Sequence, residues 1–212
     1  MNKGHKLTII TLLSAILLSG CDSKFEIGGM KFDIGGNIST DQNHPSATTF
    51  QNGIFENRQT KIKILKTQVG HSNKTQSDGL IVTFWIQNKS KHRIKPSALL
   101  NYLNFHQSNS SSNYDLRPVF NVAAALFPTI NSDGSSTADA STNIGKATDY
   151  NQKYVKPLNA QLLPGKSIKV VRGYELNNKK HPVFATAKKD MHNVDSKSVG
   201  TSYKINLQDY KN

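Results

Sequence analysis

The sequence predicts an all-β protein built as a sandwich of two antiparallel sheets. Three observations indicate this class. Six or seven short segments alternate between apolar and polar residues, which is the period of a strand. Turn signals such as Pro164-Gly165 separate these segments, and stretches with helical periodicity are few.

The chain opens with a segment organised like a secretory signal peptide. Lys3 and Lys6 precede an uncharged run from Leu7 to Leu18, which is too short to span a bilayer. The order Leu18-Ser19-Gly20-Cys21 then resembles the bacterial lipobox. That resemblance implies that residues 1–20 are removed and that Cys21 carries a diacylglycerol. Because Cys21 is the only cysteine, it has no disulfide partner. We therefore expect a lipid anchor on the extracytoplasmic face of the cell membrane.

Length and charge limit the remaining chain to one ordinary domain with a tether. Removing residues 1–20 from 212 leaves 192 residues, and the formal net charge falls from +13 to +11 with the loss of Lys3 and Lys6. The polyanions available outside the membrane are phospholipid headgroups and, in Gram-positive walls, teichoic acids, whereas nucleic acid is not an expected partner. The alternative is that the lysines serve solubility alone, since they are spread along the chain without a dense block.

We interpret residues 21–54 as a flexible linker and residues 55–212 as the sandwich domain. The linker holds two copies of K-F-[ED]-I-G-G, which start at Lys24 and Lys31. In each copy Phe and Ile alternate with charged residues, as in a short strand, and a glycine pair can form a turn. Two interpretations stay open: a tether with some β tendency, or a strand that adds to the edge of a sheet.

The sandwich domain begins with two clear strands. The first runs from Ile62 to Val69, with a change of face predicted near Leu65. The second runs from Leu80 to Asn88 and is apolar on both faces, which predicts a central strand. Trp85 on this strand resembles the buried tryptophan of immunoglobulin-like cores, although the paired cysteines of antibody domains are absent.

The middle of the domain is less regular. Residues 98–107 fit a helix or a strand, and we interpret them as a strand because aromatic residues are frequent and no helix cap fits. A polar region over 108–153 follows, which we interpret as a long inserted loop that could contain a short helix. Its apolar island, Val119 to Phe127, either covers the sandwich or contacts a partner. The candidate partner-binding residues are Val119, Phe120, Leu126 and Phe127.

Strand signals resume over residues 162–176. Ile168, Val170, Tyr174 and Leu176 share one face, and Arg172 falls on the same face. Because an unpaired charge is costly inside a core, the sequence predicts either a bulge near Gly173 or a carboxylate beside Arg172. Two more alternating segments, 181–189 and 201–208, complete the domain.

Several of these features together resemble a known group of proteins. The lipobox, the linker and the segments "DGLIVTFWIQNKS" and "LLPGKSIKVVRGYEL" are similar to a lipoprotein family of low-GC Gram-positive bacteria that has a domain of unknown function. The patterns that carry the likeness, Asn-x-Ser after a strand and Leu-x-Pro-Gly-x-Ser before Tyr-Glu-Leu, are structural rather than catalytic. The resemblance therefore implies a location and an immunoglobulin-like sandwich, and no activity.

No motif of a known catalytic chemistry occurs in the sequence. G-x-S-x-G, H-E-x-x-H, the P-loop and G-x-G-x-x-G are absent, and the histidines lack metal-ligand spacing, although a sandwich could bring His92 and His106 together. We therefore predict a non-enzymatic binding module with no catalytic residue, cofactor or metal, and with a protein or an anionic wall polymer as partner. An immunity-type lipoprotein that neutralises a secreted toxin, or a wall-associated solute receptor or hydrolase, is the alternative.

Overall fold

The computed structural model describes residues 23–27, 30–34, 47–108, 111–193 and 196–207. The chain divides into two units, Met1–Asn43 and His44–Asn212. In the first, β1 (Ser23–Ile27) and β2 (Met30–Ile34) form an antiparallel hairpin in which Phe25 pairs with Phe32. Each strand contains the K-F-[ED]-I part of one copy of the sequence repeat and the residue before it. The glycine pairs predicted to form turns fall outside the described residues, and the addition of this segment to another sheet edge stays a prediction.

The second unit is a sandwich of two antiparallel sheets, as the sequence predicts. The larger sheet has the order β3-β4-β5-β6-β9, and the smaller one β11-β10-β7-β8. In immunoglobulin nomenclature, β5-β6-β9 correspond to strands A-B-E and β11-β10-β7 correspond to strands G-F-C. These are the neighbours found in an immunoglobulin-type sandwich, and β8 is an additional strand beside C. The strands are β3 (Thr49–Gln51), β4 (Ile54–Glu56), β5 (Thr60–Ser72), β6 (Ser77–Asn88), β7 (Leu103–Ser108), β8 (Asn113–Asp115), β9 (Ser167–Glu175), β10 (Val183–Lys188) and β11 (Ser198–Ile205).

The sheet begins within the segment that composition assigned to the linker. β3 precedes residue 55, and its Phe50 is 1% exposed in the core. Gly200 of β11 lies so close to the backbone of Phe50 that a Cβ at this position would overlap it. The edge strand of the larger sheet therefore meets the edge strand of the smaller sheet and closes this side of the sandwich.

The core between the sheets is rich in aromatic side chains. The Phe55 and Tyr102 rings stack at 4.7 Å, and Phe84 meets Phe105 edge to face at 6.1 Å. The predicted change of face near Leu65 is confirmed, because the pairing of β5 with β6 shifts register between Ile64 and Lys66. Leu65, the extra residue of this bulge, is 48% exposed.

β6 is a central strand, as predicted, because it pairs with both β5 and β9. The expectation that Trp85 is the core tryptophan is wrong. Phe84 is the residue with no exposure in the core, and its neighbour Trp85 points to the opposite face of the sheet, where it is half-buried. The Nζ of Lys63 lies 5.1 Å from the centre of the Trp85 ring.

Residues 98–102 are helical, so the prediction of a strand over 98–107 is wrong in its first half. α1 (Pro96–Leu99) and a 3-10 turn (Leu100–Tyr102) precede β7. Pro96 is at the start of the helix, where its fixed φ is favourable. Leu99 and Leu100 are 0% and 1% exposed, and consecutive residues of a strand would have pointed to opposite faces of the sheet.

The region between β8 and β9 forms a helical insert, residues 116–159, on the outer face of the larger sheet. Phe120 and Val122 pack there against Ile81 of β6 and Val171 of β9. Gly79 of β6 passes so close beneath Phe120 that a Cβ on it would overlap the Phe120 ring. The helices are α2 (Val122–Leu126) and α3 (Ala140–Tyr150), which continues as a π-helix (Asn151–Val155) and a 3-10 turn (Lys156–Asn159). None of the helices in the described part of the chain has the length and apolar character that a membrane crossing requires.

Candidate functional site: a cleft around Arg172

A cleft of about 270 Å³ opens between the two sheets beside β9. One part of its wall is apolar and the other carries polar and charged side chains. The apolar residues are Leu100, Leu103, Phe105, Leu116, Pro118 and Met191, and the polar ones are Asn101, Asn104, Arg172, Tyr174 and Lys188.

Arg172 faces the cleft because the side chains of β9 alternate regularly between the two faces of the sheet. The strand pairs with β6 without a register shift from Ser167 to Glu175, so the bulge predicted near Gly173 is absent. The predicted carboxylate is absent as well: none of the ion pairs among the described residues involves Arg172. Both alternatives are wrong because Arg172 does not face a closed core. It is half-buried and lines an open space.

Tyr174 lies beside Arg172 in the wall of the cleft. Its hydroxyl lies near enough to the Arg172 guanidinium for that charge to act on its pKa. Burial raises the pKa of Tyr174 to about 12, although the charge and the hydrogen bond of Arg172 act in the opposite direction. The ring is held against Phe105, with the two ring centres 4.4 Å apart. The hydroxyl is therefore protonated near neutral pH and can donate its hydrogen to a ligand.

The other polar groups of the lining include an amide and an ammonium group. Nδ2 of Asn104 donates a 2.8 Å hydrogen bond to Oδ1 of Asp115, which fixes the orientation of this amide. Lys188, at the end of β10, adds a second cation. The described lining contains no Asp, Glu, His, Cys or Ser. An arginine fork, a phenol and an apolar wall form an arrangement that fits an anion with an apolar part.

The residues predicted to contact a partner have different environments. Phe120 is 8% exposed because it packs between the helical insert and the larger sheet, so it is not available to a partner in this conformation. Leu126 is half-buried, and the Phe127 ring meets Tyr150 at 5.7 Å. Val119 is 64% exposed and is the accessible member of the four. Cys21 and the lipobox residues Leu18, Ser19 and Gly20 lie outside the described residues, so their modification stays a prediction.

The histidines are distributed over separate elements. His106 stacks on Phe184 at 5.8 Å, and burial lowers its pKa against the opposing charge of Asp115. Nδ1 of His71 lies 2.8 Å from Asp78, and His92 lies exposed in the turn after β6. In the described ranges, no group of three or more His, Cys, Asp or Glu residues is arranged to hold a metal ion.

The two sequence patterns that carry the family resemblance are in contact. Asn88, of the Asn-x-Ser pattern, donates through Nδ2 to the carbonyl of Leu162, the first residue of the Leu-x-Pro-Gly pattern, at 2.9 Å. The carbonyl of Asn88 accepts from the N–H of Gly165 at 2.8 Å. Both patterns thus fix the turn that leads into β9, the strand that carries Arg172.

Comparisons with known proteins agree with this architecture. A presumed lipoprotein from Staphylococcus aureus has a similar fold, with a TM-score of 0.56 and 13% identity over 76% of this chain and 93% of that one. A protein from Enterococcus faecalis has a TM-score of 0.50 and 14% identity over 76% of this chain and 94% of that one. No protein of curated function matches the sequence significantly. The profile of the family described as "Domain of unknown function (DUF5067)" matches residues 38–189, more than half of the chain. The chain therefore belongs to this family.

Proposed function

We propose that the protein is a lipid-anchored, extracytoplasmic lipoprotein whose sandwich binds a small organic anion and performs no catalysis. The order Leu18-Ser19-Gly20-Cys21 supports the anchor, and so does the description of the Staphylococcus aureus neighbour as a presumed lipoprotein. A diacylglycerol supplies two acyl chains, which is enough for stable membrane attachment, whereas one chain binds only marginally.

The single observation that carries the binding function is the environment of Arg172. Its side chain lines the cleft between the sheets, beside the hydroxyl of Tyr174. A partly desolvated arginine without a carboxylate is incompletely compensated, and a bound anion would provide the missing charge. Among the described lining residues, Lys188 and Tyr174 carry groups of the kind that can act in catalysis, and we assign both to contact with the bound anion.

The shape of the cleft limits the ligand to a small organic molecule. Its volume of about 270 Å³ lies just below the roughly 300–1,000 Å³ of sites for drug-sized ligands. The apolar wall formed by Leu103, Phe105 and Met191 would contact the carbon skeleton of an organic anion, and inorganic phosphate would leave this wall unused.

The anchor is tested by mass spectrometry of the protein from a host that lipidates exported proteins. The expected product begins at Cys21 and carries the mass of a diacylglycerol, which the Cys21→Ser variant lacks. A wild-type protein that retains residues 1–20, or that has a free thiol, would contradict the anchor.

The cleft is tested by calorimetry with acetate, butyrate, benzoate and inorganic phosphate as probes. We expect benzoate to bind most tightly, and Arg172→Gln to weaken its binding at least about tenfold, because a hydrogen bond to a charged group contributes about 1.5–3 kcal/mol. Arg58→Gln is the matched control, since Arg58 is exposed on the turn before β5. Equal affinities of the two variants, or a preference for phosphate, would contradict this site.

A further inference from the structure

A second surface is formed by one cross-strand row on the outer face of the larger sheet. Ile54 of β4 pairs with Lys63 of β5, Lys63 pairs with Trp85 of β6, and Trp85 pairs with Lys169 of β9. Directly paired residues point to the same face of a sheet, so these four side chains form a continuous row. The row lies beyond the part of this face that Phe120 and Val122 of the helical insert cover.

The bulge of β5 adds an apolar and a basic residue next to this row. Leu65 is 48% exposed and Ile54 is 38% exposed, and both belong to the small set of large apolar side chains that the described part of the chain leaves open to solvent. Lys66, the next residue, pairs with Thr83 on the same face and is exposed. We call the six residues Ile54, Lys63, Leu65, Lys66, Trp85 and Lys169 the basic-aromatic face.

The positive charge of the basic-aromatic face is not neutralised by neighbouring acids. Among the described residues, the nearby acid Glu56 forms ion pairs with Lys61 and Lys89, at 2.6 and 2.8 Å. Neither Lys63, Lys66 nor Lys169 forms an ion pair with a described residue. Lys63 instead lies over the ring of Trp85, so the indole and the ammonium group are presented together.

The combination of residue types distinguishes between anionic partners. A soluble polyanion needs only the lysines, and exposed Ile54 and Leu65 would gain nothing from it. At a phospholipid surface, by contrast, apolar side chains enter the boundary of the acyl chains, indoles lie at the headgroup level and lysines extend to the phosphates. We propose that the basic-aromatic face lies on an anionic phospholipid membrane. The proposal rests on the export and membrane location in the proposed function, and it does not depend on the cleft.

Trp85 is the only tryptophan of the chain, so its fluorescence reports directly on this face. The test uses the chain from residue 21 onward with Cys21→Ser, which contains every described residue and has no thiol for acylation. The probes are vesicles of phosphatidylcholine alone and vesicles that also contain phosphatidylglycerol. We expect binding to the anionic vesicles only, with a blue shift of the Trp85 emission and quenching by lipids brominated near the headgroup.

Variants that remove the same charge from different surfaces distinguish binding through the basic-aromatic face from general electrostatic attraction. Each lysine near an anionic membrane strengthens binding about fivefold, so Lys63→Gln together with Lys169→Gln should weaken vesicle binding about 25-fold. Lys197→Gln together with Lys204→Gln removes the same charge from the region of β11, in the other sheet, and should have a much smaller effect.

Three results would overturn the proposal: no binding to anionic vesicles, equal weakening by both pairs of substitutions, or an unchanged Trp85 emission on the vesicles. Tight binding of soluble polyglycerol phosphate that shifts the Trp85 emission, without vesicle binding, would assign the face to a wall polymer and would also overturn it. Because this chain lacks the thiol and the cleft is tested through Arg172, such failures would leave the anchor and the anion site standing.

Discussion

Replacement of Asn88 should reveal how strongly one buried amide holds the turn before β9. Asn88 has no exposure, and its side chain makes four hydrogen bonds. Nδ2 donates to the carbonyls of His92 and Leu162 at 2.7 and 2.9 Å, and Oδ1 accepts from the N–H and hydroxyl of Ser90 at 3.0 and 2.7 Å. The perturbation is Asn88→Ala, with the isosteric Asn88→Asp as a second variant.

The expected magnitude follows from these contacts. A hydrogen bond contributes about 0.5–1.5 kcal/mol net, and a buried group left without a partner costs about 1–3 kcal/mol. The contacts of Ser90 and His92 lie near the surface, where water can replace them, whereas the bond to Leu162 is buried. We therefore expect Asn88→Ala to lower the free energy of unfolding by about 3 kcal/mol, a large fraction of the roughly 5–15 kcal/mol typical of a domain.

Asn88→Asp tests the direction of the hydrogen bonds. The substitution keeps an acceptor for Ser90 but places a carboxylate oxygen against the carbonyls of His92 and Leu162. At neutral pH the loss in unfolding free energy should equal or exceed that of Asn88→Ala, because the carboxylate oxygen would face carbonyl oxygens and a charge would be buried. Burial raises the pKa of this carboxyl, so the loss should decrease as the pH falls and the protonated form can donate again.

Urea unfolding followed by the fluorescence of Trp85 measures these differences. Asn159→Ala is the matched control, because Asn159 is exposed in the 3-10 turn after the π-helix, and its effect should stay within about 0.5 kcal/mol. A loss below about 1 kcal/mol for Asn88→Ala, or an Asn88→Asp protein as stable as the wild type at pH 7, would refute the reasoning.

Three further predictions concern the insert and the titrating groups. Gly79→Ala should lower the free energy of unfolding by about 1–3 kcal/mol, because its Cβ would overlap the Phe120 ring. In a Phe120→Ala background the same substitution should change the free energy of unfolding little. Additive losses of stability in urea unfolding would contradict this contact. Burial alone would raise the pKa of Glu56, but Lys61 and Lys89 hold it below its ordinary value. The contribution of Glu56 to the stability of the fold is therefore present above about pH 4.3 and lost as the pH falls. Unfolding curves of Glu56→Gln should show a smaller loss of stability in acid. The raised pKa of Tyr174, about 12, gives stabilisation that is present below about pH 10 and lost as the pH rises towards 12, so unfolding of Tyr174→Phe should lack that alkaline loss.

Alternation along the strands was enough to predict much of the sandwich. The two apolar faces of β6 indicated a central strand, and the break in alternation at Leu65 indicated the bulge. The inward direction of Arg172 was also predictable from its neighbours on β9. Each of these features is local, because it depends on which face a side chain takes within one strand.

The remaining features depend on contacts between distant segments. Trp85 was assigned to the core because both faces of β6 are apolar, and pattern alone cannot show that the helical insert covers only part of the outer face. α3 has no buried residue, so it lacks the apolar stripe that would have revealed it. The polar side chains of the cleft come from separate elements, and no spacing in the sequence joins them. One available signal was missed: Asn52-Gly53, both with positive φ, forms the turn between β3 and β4.

The contact of Gly200 with the backbone of Phe50 closes one flank of the sandwich to a solute. The chain enters the folded unit at β3, and β9 is the opposite edge strand of the same five-stranded sheet. Four strand spacings of about 4.8 Å separate these edges by about 19 Å. Within residues 44–212, β3 therefore lies at the sealed flank of the sandwich, and the cleft opens beside β9 at the opposite edge of the sheet. A solute can therefore enter between the sheets beside β9 without separating a backbone contact, whereas entry beside β3 would require the Gly200–Phe50 contact to open.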